Sequence, residues 1–151
     1  MKGLSLLIYT ILFTFIFFVD QSAFLQMAGA MRGVPAQVDY QAKQIAEDIS
    51  YGSTVTTPAN MQVFISDCIY PTHEKLTTEG QEAAVYSCQN AVGVICLFYD
   101  YFGYVYTACQ GMLFTPDKTY FEDATDKVTI YTVERNLEER TFSLTPAGLS
   151  N

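Results

Sequence analysis

Leu4-Ser-Leu-Leu-Ile-Tyr-Thr-Ile-Leu-Phe-Thr-Phe-Ile-Phe-Phe-Val19 is a run of sixteen residues without a charge. Asp20 interrupts it, and a second apolar series follows: Phe24, Met27, Met31, Val34, Val38, Ala42, Ile45 and Ile49. The steps in that series are three or four residues throughout, the period of one helical face. Read as one continuous α-helix from Leu4 to Ser50, the segment is roughly 70 Å long at about 1.5 Å per residue. No small domain covers such a rod. Its apolar part needs a membrane or a bundle of like helices, which points to an architectural role. Gly29, Gly33 and Pro35 weaken the middle of the helix, because glycine lowers helix propensity and proline removes a backbone donor. They mark a kink, or a segment able to unwind as copies pack together.

Working outward, Met1-Lys2-Gly3 is a short cationic leader that favours keeping the N-terminus on the cytoplasmic side of a membrane. Ala28-Gly29-Ala30 offers a second boundary, the small-x-small site of a conventional signal peptide. Ser50 to Asn60 carries glycine, proline and five Ser or Thr residues, so it reads as a linker. The expected organisation is a leader 1–3, a helix 4–50, a linker 51–60 and a head 61–151. The expected fold class is α+β, a long N-terminal hydrophobic helix followed by a small antiparallel β-rich, sandwich-like head.

The head reads as strands at 61–70, 83–88, 93–99, 104–114, 127–134 and 141–145. The stretch 72–82 reads as a polar loop, turns fall at 100–103 and 115–119, and Pro146 closes the last hairpin. The aromatic content, 11 Tyr and 11 Phe with no Trp, suits a β-rich domain. Cys68, Cys88, Cys96 and Cys109 form an even set with no Cys-x-x-Cys pair, which fits two disulfides on the outer side of a membrane. Three connectivities are open.

The formal net charge is −8, from 16 acidic and 8 basic residues. That balance argues against nucleic-acid binding, which needs clustered Lys and Arg. There is no Gly-x-Ser-x-Gly nucleophile signature and no glycine-rich phosphate loop, and the single histidine, His73, sits in a polar stretch. No enzyme, metal site or cofactor is expected. The dense run Phe98-Tyr-Asp-Tyr-Phe-Gly-Tyr-Val-Tyr106 reads as aromatic cross-strand pairs in a hairpin, or as an exposed patch that contacts a surface or protein ligand.

Lys2-Gly3-Leu4-Ser5 followed at once by an apolar run resembles the class III signal peptide of the type IV pilin family. The wider layout looks like that family too. The resemblance implies cleavage after Gly3, with Lys2, Gly3 and Leu4 as the processing site and Leu4 as the first mature residue. It also implies a filament core packed by Leu6, Leu7, Ile8, Ile11, Leu12, Phe15, Ile16, Phe18, Val19, Phe24, Met27 and Met31, with Gly29, Gly33 and Pro35 as the melting segment. The partners implied are copies of the chain or related pilin-like subunits, and the membrane before assembly. Ile8 stands at the fifth mature position, where bacterial pilins usually carry a glutamate, so archaeal-type subunits resemble the chain better. The competing expectations are an uncleaved single-pass membrane protein with an extracellular β domain that binds another protein, and a secreted domain cut near Ala30.

Overall fold

The computed structural model describes residues 33–149 together with Ile11 and Thr14, with side chains as far as Ala147. The chain divides into two compact units, Met1–Val34 and Pro35–Asn151. Ile11 and Thr14 of the first unit are helical, and both are exposed. The second unit carries the β structure.

The described residues are mainly β. Eight strands form two four-stranded sheets, and among the described residues no helix is long and apolar enough to cross a membrane. This corrects the expected fold class of a long hydrophobic helix plus a head. Residues 33–51 do form a helix, α1, but it serves the β unit as a packing element. Val38, Ala42, Ile45, Ala46 and Ile49 are its buried stripe, and Asp39, Tyr40, Lys43, Gln44 and Glu47 stay exposed. From Val38 onward the three- and four-residue periodicity is a one-sided amphipathic pattern, directed at a core inside the same unit.

The linker expected at 51–60 holds strand β1 (Thr54–Thr57). Its Thr-Val-Thr-Thr sequence alternates, turning Val55 and Thr57 inward. β1, β7 (Thr129–Asn136), β8 (Thr141–Leu149) and the two-residue β5 (Thr115–Pro116) make sheet A, in the order β1-β7-β8-β5. The β5–β8 pairing is parallel, so the head is not wholly antiparallel. Pro146 does not end β8. The ladder continues past it through a bulge, since Tyr131 pairs with Pro146 and Ile130 with Gly148. The unpaired extra residue absorbs the proline's missing donor.

Sheet B has the order β4-β3-β2-β6, from β2 (Gln62–Asp67), β3 (Gly93–Tyr101), β4 (Tyr104–Met112) and β6 (Tyr120–Glu122). Its two faces are both covered, which explains why Val94 to Phe98 reads as an unbroken apolar run. On one face Phe64, Val94, Cys96 and Phe98 pack with Leu76 and Ala84. Ala84 belongs to helix α2 (Thr78–Ser87), where a strand at 83–88 was expected. Thr77 starts this helix by accepting a hydrogen bond from the Gly80 backbone N–H on its hydroxyl, the usual way an N-cap satisfies an orphan donor. Gly80 is required there, because a Cβ would lie 2.7 Å from the Phe98 ring. A single 3₁₀ turn, Cys88–Asn90, leads on to β3.

The opposite face of sheet B carries Val63, Ile65, Ile95 and Leu97 and looks toward sheet A. Val63 and Ile65 line a cavity of about 60 Å³ with Thr57, Tyr131 and Leu144 of sheet A. Glu122 of β6 ties the sheets together, accepting from the Thr129 hydroxyl at 2.8 Å and the Tyr131 hydroxyl at 3.2 Å. Helix α1 reaches the inner faces of both. Asp39 accepts from Gln110 of sheet B at 3.1 Å, while Arg135 of sheet A donates to the carbonyls of Ile49 and Gly52 at the helix end. The Ile49 carbonyl is among the four that a helix terminus leaves without intrahelical partners.

Candidate functional site

Among the described residues, aromatic side chains are concentrated and exposed at the tip of the β3–β4 hairpin. The register pairs Tyr99 with Tyr106 and Tyr101 with Tyr104. Directly opposed residues on an antiparallel ribbon point to the same side, and so do residues two apart on one strand. The four tyrosines therefore share one face. It is the same face that carries Ile95 and Gln110 further along, so the tyrosine ladder continues the inner face of sheet B past its contact with α1. Tyr99 and Tyr101 stack with ring centroids 6.1 Å apart. Among the described residues none of the four hydroxyls has a hydrogen-bond partner.

Phe102 and Gly103 turn the hairpin. Both have positive φ, 53° and 82°, the geometry of a two-residue type I′ turn, and Asp100 locks it by accepting from the Gly103 N–H at 2.9 Å. Such turns favour Asn-Gly. A phenylalanine in the left-handed region costs roughly 1–2 kcal/mol, because its Cβ crowds the following carbonyl. The ring gains little burial in return, being 85 % exposed and in edge contact only with Tyr101 at 4.7 Å. Tyr104 is 66 % exposed, and Val105 joins it on the outer strand. The turn therefore holds an apolar ring in water at a cost in backbone strain.

Of the residues assigned roles from the sequence, the four cysteines come together. Cys68 joins Cys88, stapling the end of β2 to the end of α2. Cys96 joins Cys109 directly across β3 and β4, with Cα atoms 4.1 Å apart, the spacing of a narrow non-hydrogen-bonded pair. Both disulfides lie on the α2 side of sheet B. His73 packs against sheet B. Its ring stacks on Phe121 at 4.9 Å and its Nδ1 accepts from the Lys75 N–H at 3.2 Å. Lys75 in turn lies 4.7 Å over Phe121 and pairs with Asp123 at 3.3 Å.

Lys2, Gly3, Leu4, Leu6, Leu7, Ile8, Leu12, Phe15, Ile16, Phe18, Val19, Phe24, Met27, Gly29 and Met31 lie outside the described residues. Ile11 is described and is 59 % exposed. Gly33 and Pro35 lie in the first described turn of α1.

Two features had no signal in the sequence reading. One is an open groove of about 440 Å³ along the end of α2 and strand β4, lined by Tyr86, Gln89, Asn90, Gln110 and Leu113. The other is a cleft of about 210 Å³ between α1 and β1. Among the described residues no group of three or more His, Cys, Asp or Glu side chains is placed to hold a metal. No family model matches the chain, and neither does any curated protein or solved structure.

Proposed function

We propose that the chain is a structural subunit of an extracellular type IV pilus-like filament, inserted in the cell membrane before assembly and polymerising through its apolar N-terminal residues. The observation that carries this reading is the junction of Lys2-Gly3 with sixteen uncharged residues, in a chain whose β unit closes all four of its cysteines as disulfides. Disulfides persist where thiols are not kept reduced, which supports a location outside the cytosol. Burying about a dozen large apolar side chains, at roughly 1.5–3 kcal/mol each, supplies ample cohesion for a polymer. A heterologous contact of that kind does not close on itself, so it propagates as a helix of subunits. The role is structural and adhesive, with the Tyr99–Tyr106 hairpin meeting a surface or a protein ligand.

The exposed hairpin equally favours a second reading, an uncleaved single-pass protein whose extracellular β domain binds another protein. N-terminal analysis of the chain from its native envelope separates the two. A chain starting at Leu4 supports the filament subunit; a chain starting at Met1 supports the anchored binding domain. Gly3→Val is expected to block processing and filament formation while both disulfides still form. Normal filaments from that variant would overturn the first reading.

A further inference from the structure

Strand β4 is an edge of sheet B, and it carries neither the shortness, the proline nor the charge found at the other edges. In sheet A, β1 is four residues long and runs into Pro58, and β5 has two residues, one of them Pro116. At the far edge of sheet B, β6 has three residues and ends at Glu122, with Asp123 next. Short length, proline and charge are how sheet edges avoid pairing with other chains. β4 runs for nine residues, Tyr104-Val-Tyr-Thr-Ala-Cys-Gln-Gly-Met112, without a charge, a proline or a bulge in its ladder to β3. The register fixes which of its backbone groups are free. Cys96 and Cys109 are a non-hydrogen-bonded pair, so the alternation gives Val105 and Thr107 the same status, with N–H and C=O directed away from β3. Further along, the Ser87 hydroxyl donates to the Cys109 carbonyl at 3.2 Å. The end of α2 packs against Gly111, where a Cβ would lie 2.7 Å from the Ser87 carbonyl oxygen. Among the described residues nothing bonds to the outward groups of Val105 or Thr107.

Two other features lie at equal offsets from Tyr106 along the chain. Four residues before it is Phe102, exposed in its strained turn. Four residues after it is Gln110, which lines the open groove of about 440 Å³ together with the exposed Tyr86 and Leu113. We infer that β4 pairs antiparallel with β4 of a second copy of the chain, about a two-fold axis at Tyr106. This register opposes Val105 to Thr107 of the second copy and Thr107 to its Val105, and the two pairs exchange four hydrogen bonds that close every free group named above. Centring on Thr107 would instead oppose Val105 to Cys109, whose carbonyl Ser87 already engages. Tyr106 faces its own equivalent at the axis, and Tyr104 faces Ala108. The same axis sets the Phe102 turn of each copy beside Gln110 of the other, where the groove receives the ring. The occupant is a second copy because the projecting ring and the groove sit on one strand at matching offsets, the self-complementarity that a two-fold contact requires. Uncharged β4 strands also bring no like charges face to face, in a chain of net charge −8. The pairing joins the two sets of four tyrosines into one continuous face, and it depends on neither reading of the N-terminal residues.

The test is amide hydrogen exchange of the full chain in detergent micelles over a concentration series, with sedimentation of the same samples. Exchange at Val105 and Thr107 is expected to slow by about tenfold or more as a dimer forms. Thr107→Pro removes an outward donor that the ladder to β3 does not use, and Phe102→Asn removes the ring while keeping a residue suited to the turn. Each is expected to weaken the dimer by about tenfold or more. Under mild oxidation Tyr106→Cys is expected to form a disulfide with its equivalent in the second copy, and Tyr104→Cys is not, because it faces Ala108. A monomer at every concentration would overturn the pairing. Self-association that neither Thr107→Pro nor Phe102→Asn weakens would also overturn it, by placing the contact elsewhere on the chain. Protection of Val105 and Thr107 without a change in sedimentation would put another segment of the same chain on the edge, and equal cross-linking of the two cysteine variants would exclude the axis at Tyr106; either result overturns the proposal.

Discussion

Single side chains between the sheets carry much of the fold's polar bookkeeping. The Tyr120 hydroxyl donates to Asp117 at 2.5 Å and accepts from the Leu144 N–H at 2.9 Å. Burial, and then the hydrogen bond to Asp117, push its pKa up to about 12. Tyr131 is also pushed up to about 12, by burial, then the charge of Glu122 and the hydrogen bond to it. An unfolded phenol loses its proton near 10. Between pH 10 and about 12 the unfolded chain therefore binds fewer protons than the folded one, and stability falls as pH rises through that window. Tyr120→Phe is expected to cost about 1–3 kcal/mol at pH 7, by leaving the Leu144 donor unsatisfied, and to make the alkaline decline shallower. Denaturant unfolding at pH 7 and pH 11 checks both. None of this was legible in the sequence. Tyr120 stood beside a turn at 115–119, and nothing local reveals that its partners are Asp117 and, from the opposite sheet, Leu144.

Strands and turns were read more successfully where both faces or both ends carried a signal. The β2, β3, β4 and β7 stretches were legible, since each is bounded by turn residues and rich in β-branched or aromatic side chains. Helix α2 was misread because Ala-Ala-Val-Tyr looks like a short apolar strand. The buried positions Leu76, Gly80 and Ala84 instead step by four, and the step includes a glycine, which carries no hydrophobic signal. The β5 pairing was invisible, as two residues make no pattern. At the hairpin the aromatic density was evident, and the register shows that the tyrosines share a face while Phe102 occupies the strained turn position. Phe102→Asn is expected to stabilise the β unit by about 1 kcal/mol, because asparagine tolerates the left-handed conformation. Under the proposed adhesive role of the hairpin, the same change is expected to weaken adhesion. Thermal unfolding and a surface-binding assay on one variant separate these effects; a loss of stability would show that the Phe102 ring contributes packing after all.

The β unit is held by two sheets, its helices and two disulfides. The cysteines were legible as disulfides from their even number, but the pairing was not, since the twenty-residue separation of Cys68 and Cys88 is closed by an unexpected helix. Reduction is expected to cost about 2–4 kcal/mol per bond, seen as a melting temperature lower by several degrees. A larger loss is expected at Cys68–Cys88, because α2 is a short helix whose end it anchors. Single Cys-to-Ser pairs measured under oxidising conditions distinguish the two. The periodicity of α1 was visible in the sequence, yet its destination was not. Period shows that a face is apolar and is silent on whether the partner is lipid, a neighbouring copy or the chain's own sheets. The order of sheet A has a mechanical consequence. Strands β1 and β8 both run antiparallel to β7, which lies between them, so they run parallel to each other. A pull applied at the start of β1 and the end of β8 then acts along the ladders from opposite ends. All the hydrogen bonds between these strands bear the load together and cannot be unzipped one at a time, so the β unit is built to transmit tension along its strands without unravelling.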